Sequence, residues 1–317
     1  MAPVSAALAN WNGMQYIGRC LAALFAQTCP VPEVVVVDNG STDGSREWIR
    51  QHYPRVKLIE NPRNRGVAAG YNQAIAACAN PYVLILNTDV FLAPDFVEQA
   101  LKGFAWGADV AAVTGRVFQE TTRELLNGGF FLRRQLRLRP SENLENEEEV
   151  FGATGAVVLF RGQALEDLKV EGEYFDESYF SYGEDIDLAW RAQLYGWRVR
   201  YQPSALARHV GSGSLDGRLR FADKPAFFQR HVLKNRYLTL IKNASPGVLL
   251  YLLPSLALTE LLLWPYLFLR FPLKAPYLGL ALADVARLLP TALRRRRHIQ
   301  ERRRVGSAHI RRFFRGF

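Results

Sequence analysis

The chain has 317 residues, 49% of them hydrophobic, with three Cys and a formal charge of +10 from 40 Lys and Arg against 30 Asp and Glu. Such a chain buries a large core, which excludes an intrinsically disordered polymer and a small disulfide-stapled scaffold. Between Pro290 and Phe317 stand ten Arg and one acid, Glu301, so +9 of the +10 falls in 28 residues and the preceding chain is nearly neutral. Basic segments of this kind meet nucleic acid, anionic membrane or phosphorylated ligands. Cys20, Cys29 and Cys78 have neither CxxC spacing nor a His set for zinc, which predicts free thiols in a reducing compartment. Met1 to Asn10 lacks a basic n-region and an apolar h-region, so no secretory leader is expected.

Over the first two hundred residues short β-branched runs alternate with segments of helical period, the pattern of a mostly parallel sheet covered by helices. The expected strands are Val4 to Ala9, Val34 to Val37, Lys57 to Glu60, Tyr82 to Leu86, Val110 to Val113, Ala156 to Phe160 and Val199 to Tyr201. Helices fit at Met14 to Ala26, Thr42 to His52, Val67 to Cys78 and Pro94 to Phe104. The acid-rich stretch Arg133 to Glu149 reads as a solvated loop, with a position over a site as its functional alternative.

From Asn243 to Leu269 only Glu260 is charged, and Pro254 and Pro265 interrupt a leucine-rich run. Its uncharged part, Asn243 to Thr259, is 17 residues, at the lower limit for crossing a bilayer. A membrane span, a helix of a second core and helices in the membrane interface all fit. The interface fits best, because prolines divide the run into short pieces, Trp264, Tyr266 and Tyr277 suit the headgroup level, and arginines follow.

Several clusters carry chemistry. In Val34-Val-Val-Val-Asp38-Asn-Gly-Ser-Thr-Asp43 an apolar strand ends in a carboxylate and turns into a capped helix, which places Asp38 at the carboxyl edge of the sheet. No GxGxxG and no P-loop lysine accompanies it. Asn61-Pro-Arg-Asn64-Arg65-Gly66 leads into a helix of small residues, where amides, Asn64 and Arg65 suit a ribose or a diphosphate. Tyr82 to Leu86 runs into Asn87-Thr88-Asp89, and one carboxylate at a strand edge serves Mg²⁺ or Mn²⁺ when a substrate's phosphates supply other ligands. Acids and aromatics crowd Phe175 to Arg191, and His209 falls in a Gly/Ser loop. Acids at a helix head also serve as plain dipole partners, and a lone His is often structural.

In combination and order, DNGSTDGS, NRGxAxGxN, NTD, FDExYFxYxEDxDLxxR and HxGxGS resemble the inverting family 2 glycosyltransferases of glycosyltransferase-A fold. The resemblance covers Val4 to Asn243 and is strongest to rhamnosyltransferase-like members that act on polyprenyl-diphosphate-linked acceptors. It implies a Rossmann-like α/β catalytic domain with a nucleotide-sugar half at 1–110 and an acceptor half with the base at 111–242. Membrane-associating helices at 243–289 and an Arg-rich tail at 290–317 would follow.

Residue by residue, the resemblance implies that Asn10, Trp11, Asn12, Asp38, Asn64, Arg65, Gly66, Asn72, Asn87 and Thr88 bind the donor. Gly155, Ala156, Phe180 and Tyr182 would border the acceptor, with Asp185 as catalytic base supported by Glu184, Asp187 and Arg191. Asp89 and His209 would hold Mg²⁺ or Mn²⁺. Asn87 stands where the family's Asp-x-Asp motif has its first carboxylate, so metal affinity would lean on Asp89, His209 and the donor diphosphate.

The activity so implied is transfer of a sugar, best L-rhamnose from dTDP-L-rhamnose, to a hydroxyl of a polyprenyl-diphosphate-linked saccharide such as GlcNAc. It would take place on the cytoplasmic face of the cell membrane, with the C-terminal region on the anionic surface. A UDP- or GDP-sugar donor is the alternative within the class. Outside the class, a catalytically idle membrane scaffold on the same fold is one alternative; a nucleic-acid binder is another, which accounts for the arginines but not for three carboxylates at sheet edges, and nucleic acid is not an expected partner.

Overall fold

Four consecutive valines show how the sheet is covered. Val35 and Val37 enter the core on one side, while Val34 and Val36 enter it on the other, as a strand buried on both faces requires. The computed structural model describes residues 3–122, 124–142, 145–211 and 224–316.

The first half of the chain runs β1 (Val4–Asn10), α1 (Met14–Phe25), β2 (Glu33–Asp38), α2 (Ser45–His52), β3 (Lys57–Glu60), α3 (Val67–Ala76), β4 (Tyr82–Leu86), β5 (Val90–Leu92) and α4 (Phe96–Lys102). It continues through β6 (Val110–Gln119), β7 (Leu125–Asn127), β8 (Phe130–Leu132), β9 (Leu138–Pro140), β10 (Glu148–Val150), β11 (Val157–Arg161), α5 (Gly162–Leu168), α6 (Glu184–Leu194) and β12 (Arg198–His209). Four C-terminal helices follow: α7 (Ala226–Asn243), α8 (Pro246–Arg270), α9 (Ala275–Glu301) and α10 (Ser307–Arg311).

Among the described residues, β3, β2, β1 and β4 are parallel neighbours. Antiparallel β11 joins β4 to β6, which pairs in parallel with β12. All the expected strands form. Parallel strands open their carboxyl ends to ligands, so Asn10, Asp38 and the Asn87-Thr88-Asp89 turn come to one edge.

Two regions differ from the sequence reading. β12 does not stop at Tyr201; an irregularity between Gln202 and Leu206 absorbs Pro203, and the strand continues until His209 pairs with Val90 of β5. His209 is therefore a strand residue and not a loop residue, while Ser212, Gly213 and Ser214 of its motif lie outside the described residues.

The second difference is C-terminal. Pro254 and Pro265 lie inside α8, which is continuous: each proline removes one hydrogen bond and crowds the carbonyl four residues back, and the flanking hydrogen bonds carry the helix through. The arginine-rich end is not a free tail. α9 begins in the apolar segment and ends at Glu301, and Phe313 and Phe314 are buried after α10. The Arg315 amide donates to the Leu132 carbonyl at 2.8 Å.

Candidate active site

A cleft of about 1510 Å³ opens at the carboxyl edge of the sheet. Its polar end is built by strand termini. Asn10, at the end of β1, donates to Asp38 Oδ2 at 2.8 Å and Ser45 Oγ at 2.9 Å, while Asp38 also accepts from the Ser41 amide at 2.8 Å. Asn12 and Trp11 follow on the cleft wall, Trp11 with 58% of its surface exposed. Gly66, at φ +88°, sits where any Cβ would run into the Phe180 carbonyl.

Asn87 and Thr88 line the next stretch. The Tyr71 hydroxyl donates to Asn87 Oδ1 at 2.7 Å, so the amide that replaces a carboxylate is held from beneath. Asp89 is almost wholly buried, and its Oδ1 lies 3.2 Å from His209 Nε2. The β5–β12 pairing makes this meeting possible, since Asp89 immediately precedes β5. Among the described residues no third His, Cys, Asp or Glu completes a metal cluster. One oxygen and one nitrogen donor on the wall of this cleft fit Mg²⁺ or Mn²⁺ whose other ligands come from a diphosphate and water.

Across the cleft, Gly183 in the left-handed region caps α6 and delivers Glu184 and Asp185 to the wall. Burial raises the Asp185 carboxyl above the usual carboxylate range, against N–H donors from Gly155 at 3.1 Å and Ile186 at 2.8 Å. Glu184 is pushed up to about 8 by burial and then by the Asp185 charge. Its Oε2 is buried without a hydrogen-bond partner among the described residues. Gly155, Ala156, Phe180 and Tyr182 border the same space. Phe180 and Tyr182 take positive φ, +64° and +71°, a conformation that costs energy and needs support.

The support comes from α7, which the sequence reading did not single out. Asn235 Nδ2 lies 3.1, 2.8 and 2.6 Å from the carbonyls of Tyr179, Ser181 and Tyr182. Lys234 Nζ donates to the Ser178 carbonyl at 2.6 Å. The available signal was polar residues recurring in a helix with little apolar periodicity; Gln229, Lys234, Asn235, Thr239, Lys242 and Asn243 are all buried. Asn39, which follows Asp38 in the same motif, also lines the cleft and donates to the Gly66 carbonyl at 3.0 Å.

Some expected site residues stand behind the wall. Asp38 is fully buried by its contacts with Asn10 and Ser41. Asn72 brackets Phe175, accepting from its N–H and donating to its carbonyl, each at 2.8 Å. Arg65 is 3.3 Å from Glu177 at the surface. Asp187 and Arg191 pair at 3.1 Å, deeply buried, and Arg191 also donates to the Tyr174 carbonyl at 2.7 Å. These groups shape the walls through other residues because their polar atoms are already engaged.

The Arg133 to Glu149 stretch does reach the cleft, through Gln135, Leu136, Arg137 and Leu138 around the β8–β9 turn.

A model of glycosyl transferase family 2 matches residues 5–169, just over half of the chain. The chain belongs to that family. This glycosyltransferase is 31% identical to the N-acetylglucosaminyl-diphospho-decaprenol L-rhamnosyltransferase of Mycobacterium tuberculosis, over 61% of its own length and 71% of the relative's. The fold matches the mannosyltransferase PcManGT of Pyrobaculum calidifontis, solved with GDP-Man and Mn²⁺. The TM-score is 0.54 at 20% identity, over 98% of this chain and 85% of that one. A fragment of S. aureus TarS in complex with UDP matches with a TM-score of 0.54 at 17% identity, over 94% of this chain and 90% of that one. The architecture of the glycosyltransferase is glycosyltransferase-A, a mixed α/β sheet flanked by helices, with the long apolar helix α8 as a membrane-associating candidate.

Proposed function

We propose that the glycosyltransferase inverts the anomeric centre, moving L-rhamnose from dTDP-L-rhamnose to a hydroxyl of a polyprenyl-diphosphate-linked saccharide such as GlcNAc. The observation that carries the mechanism is the desolvated Asp185, oriented by the Gly155 amide, on the same cleft as Asp89 and His209. Sugar and lipid carrier follow the name of the mycobacterial relative.

The acceptor hydroxyl has a pKa far above 7 and needs a base as it attacks. Its oxygen bonds to the anomeric carbon, its proton passes to Asp185, and the bond from that carbon to the diphosphate oxygen breaks with its electron pair leaving on the nucleoside diphosphate. A carboxylate whose pKa is raised by burial is a stronger base than one in water. Trp11 offers its exposed ring to the donor's base, with Asn10, Asn12, Asn64, Gly66, Asn87 and Thr88 around the ribose and diphosphate. Asp89 and His209 would hold Mg²⁺ or Mn²⁺, which supplies Lewis-acid neutralisation of the leaving diphosphate. The site works on the cytoplasmic face of the membrane, with α8 on the lipid.

Asp185→Asn is expected to lower kcat by at least about a hundredfold while dTDP-L-rhamnose still raises Tm as it does for the native chain. Turnover near the native rate removes Asp185 as the base. Adding EDTA is expected to abolish that Tm rise and Mg²⁺ or Mn²⁺ to restore it, if Asp89 and His209 bind the donor through a metal; a rise indifferent to EDTA rejects the metal assignment.

A further inference from the structure

One wall of the cleft is apolar and basic. Leu136 and Leu138 of the β8–β9 turn face Leu263 and Tyr266 of α8 around the same cavity, and two arginines, Arg137 and Arg236, stand among them. Arg236 comes from α7. Its Nε donates to the Gln135 carbonyl at 3.1 Å, and its Nη1 is taken by Glu260. Glu260 is shared with the Tyr237 hydroxyl and with Trp264 Nε1. Nη2 of Arg236 is buried and has no partner among the described residues. Arg137 is exposed at the rim and forms no ion pair among the described residues.

A buried guanidinium N–H without an acceptor is costly, and the chemistry that relieves it is an anion with fixed oxygen geometry. Sugar hydroxyls do not need two cations, and a free nucleotide does not need an apolar wall. Helix α8 supplies the remaining constraint. Past Thr259, Leu263 and Tyr266, which line the cleft, the same helix exposes Leu250, Leu253, Leu261, Leu262 and Leu269. Leu262 and Leu269 lie within about 60° of Tyr266 around the helix, so exposed leucines adjoin the cleft-lining edge of α8. A ligand that spans both has a diphosphate at the arginines, a hydrocarbon chain along α8 and a sugar pointing inward to Asp185.

We infer that Arg236 and Arg137 form the diphosphate subsite for an isoprenoid-diphosphate acceptor, which enters from the bilayer between the β8–β9 turn and α8. This rests on the lipid-linked acceptor of the preceding subsection and assigns residues to it. Arginine is suited to the task because its planar fork grips phosphate oxygens in pairs, which a lysine does not reproduce.

The test is flotation of the full-length protein with phosphatidylcholine vesicles. These carry a few mole per cent of geranylgeranyl diphosphate, of geranylgeraniol, or of phosphatidylglycerol at matched charge. The diphosphate lipid is expected to bind about tenfold more tightly than either control. Arg137→Gln and Arg236→Lys are each expected to remove most of that preference while dTDP-L-rhamnose still raises Tm. Arg137→Gln keeps the test open if Arg236→Lys fails to fold, because Arg137 lies at the exposed rim. Equal binding to all three vesicles, or a preference untouched in both folded variants, overturns the subsite.

Transfer assays separate the two readings. No transfer by the wild type to a lipid-linked saccharide counts against the proposed acceptor. Transfer with an unchanged acceptor KM in both variants counts against this subsite alone.

Discussion

Glu184 and Asp185 are neighbours on the cleft wall; Asp185 accepts from the N–H groups of Gly155 and Ile186, while Glu184 Oε2 is buried with no hydrogen-bond partner among the described residues. Burial and then the Asp185 charge push the Glu184 carboxyl up to about 8 from 4.5. Between those two values the folded state holds a proton that the unfolded chain has lost, so stability declines as pH rises through this window. Glu184→Gln is expected to flatten that decline in a Tm scan and to be the more stable protein above pH 8. Because the native group is neutral at pH 7, the amide is also expected to keep kcat within a few-fold there, unlike Asp185→Asn. A Glu184→Gln enzyme as inactive as Asp185→Asn shows that the proton on Glu184 takes part in turnover.

The acids of Phe175 to Arg191 form one cluster in sequence and separate in space: Glu184 and Asp185 on the cleft, Asp176 and Asp187 in a buried network, and Glu177 beside Arg65 at the surface. Asp185 and Asp187 are two residues apart on α6, about 200° around a helix, so one faces the cleft and the other faces away. Asp187 meets Lys242 Nζ of α7 at 2.8 Å, and Lys242 also pairs with Asp176, which accepts in turn from Arg295 of α9. Burial opposes the charge on both carboxylates, but Lys242 with Arg191 holds Asp187, and Lys242 with Arg295 holds Asp176, below the usual range. Their stabilisation is present above the ordinary carboxylate pKa and is lost as pH falls through the lowered values. Lys242→Met leaves two buried anions short of a partner and is expected to cost about 3–5 kcal/mol in urea unfolding. Lys102→Met, at an exposed pair with Glu98, is expected to cost about 0–1 kcal/mol. Equal costs refute the network. The split of Asp185 from Asp187 was legible from helical period; the partners on α7 and α9 were not, because they lie more than fifty residues away and carry no local pattern.

At the scale of the molecule, the C-terminal arginines act mostly as ties to the catalytic domain. Arg295 lies 3.0 Å from Glu171 and 2.9 Å from Glu173, Arg302 and Arg304 lie 2.7 and 3.2 Å from Asp167, and Arg315 lies 2.9 Å from Glu148. Arg296 donates to the Ala244 carbonyl at 2.8 Å. Much of the local charge is thus paired with acids elsewhere in the chain, and under the membrane association proposed above the exposed leucines of α8 would be the anchor. Flotation with phosphatidylcholine vesicles is expected to survive high salt, which screens surface charge but not apolar burial. The triple change L250Q/L261Q/L269Q is expected to weaken it at least tenfold, since each fully buried Leu contributes about 2 kcal/mol. Release by salt, with the triple variant unaffected, restores the arginines as the anchor.

The seven expected strands, the first four helices and the carboxylates at strand ends were determined by sequence alone, because side-chain period and turn residues are local properties of the chain. The tertiary structure decided which polar groups face the cleft. Asp38, Asn72 and Asp187 carry the same side chains as ligand-facing residues, and only neighbours distant in sequence show that their oxygens are already engaged. It decided the fate of the arginines for the same reason: a charge count adds up residues one by one, while an ion pair requires two distant segments to meet.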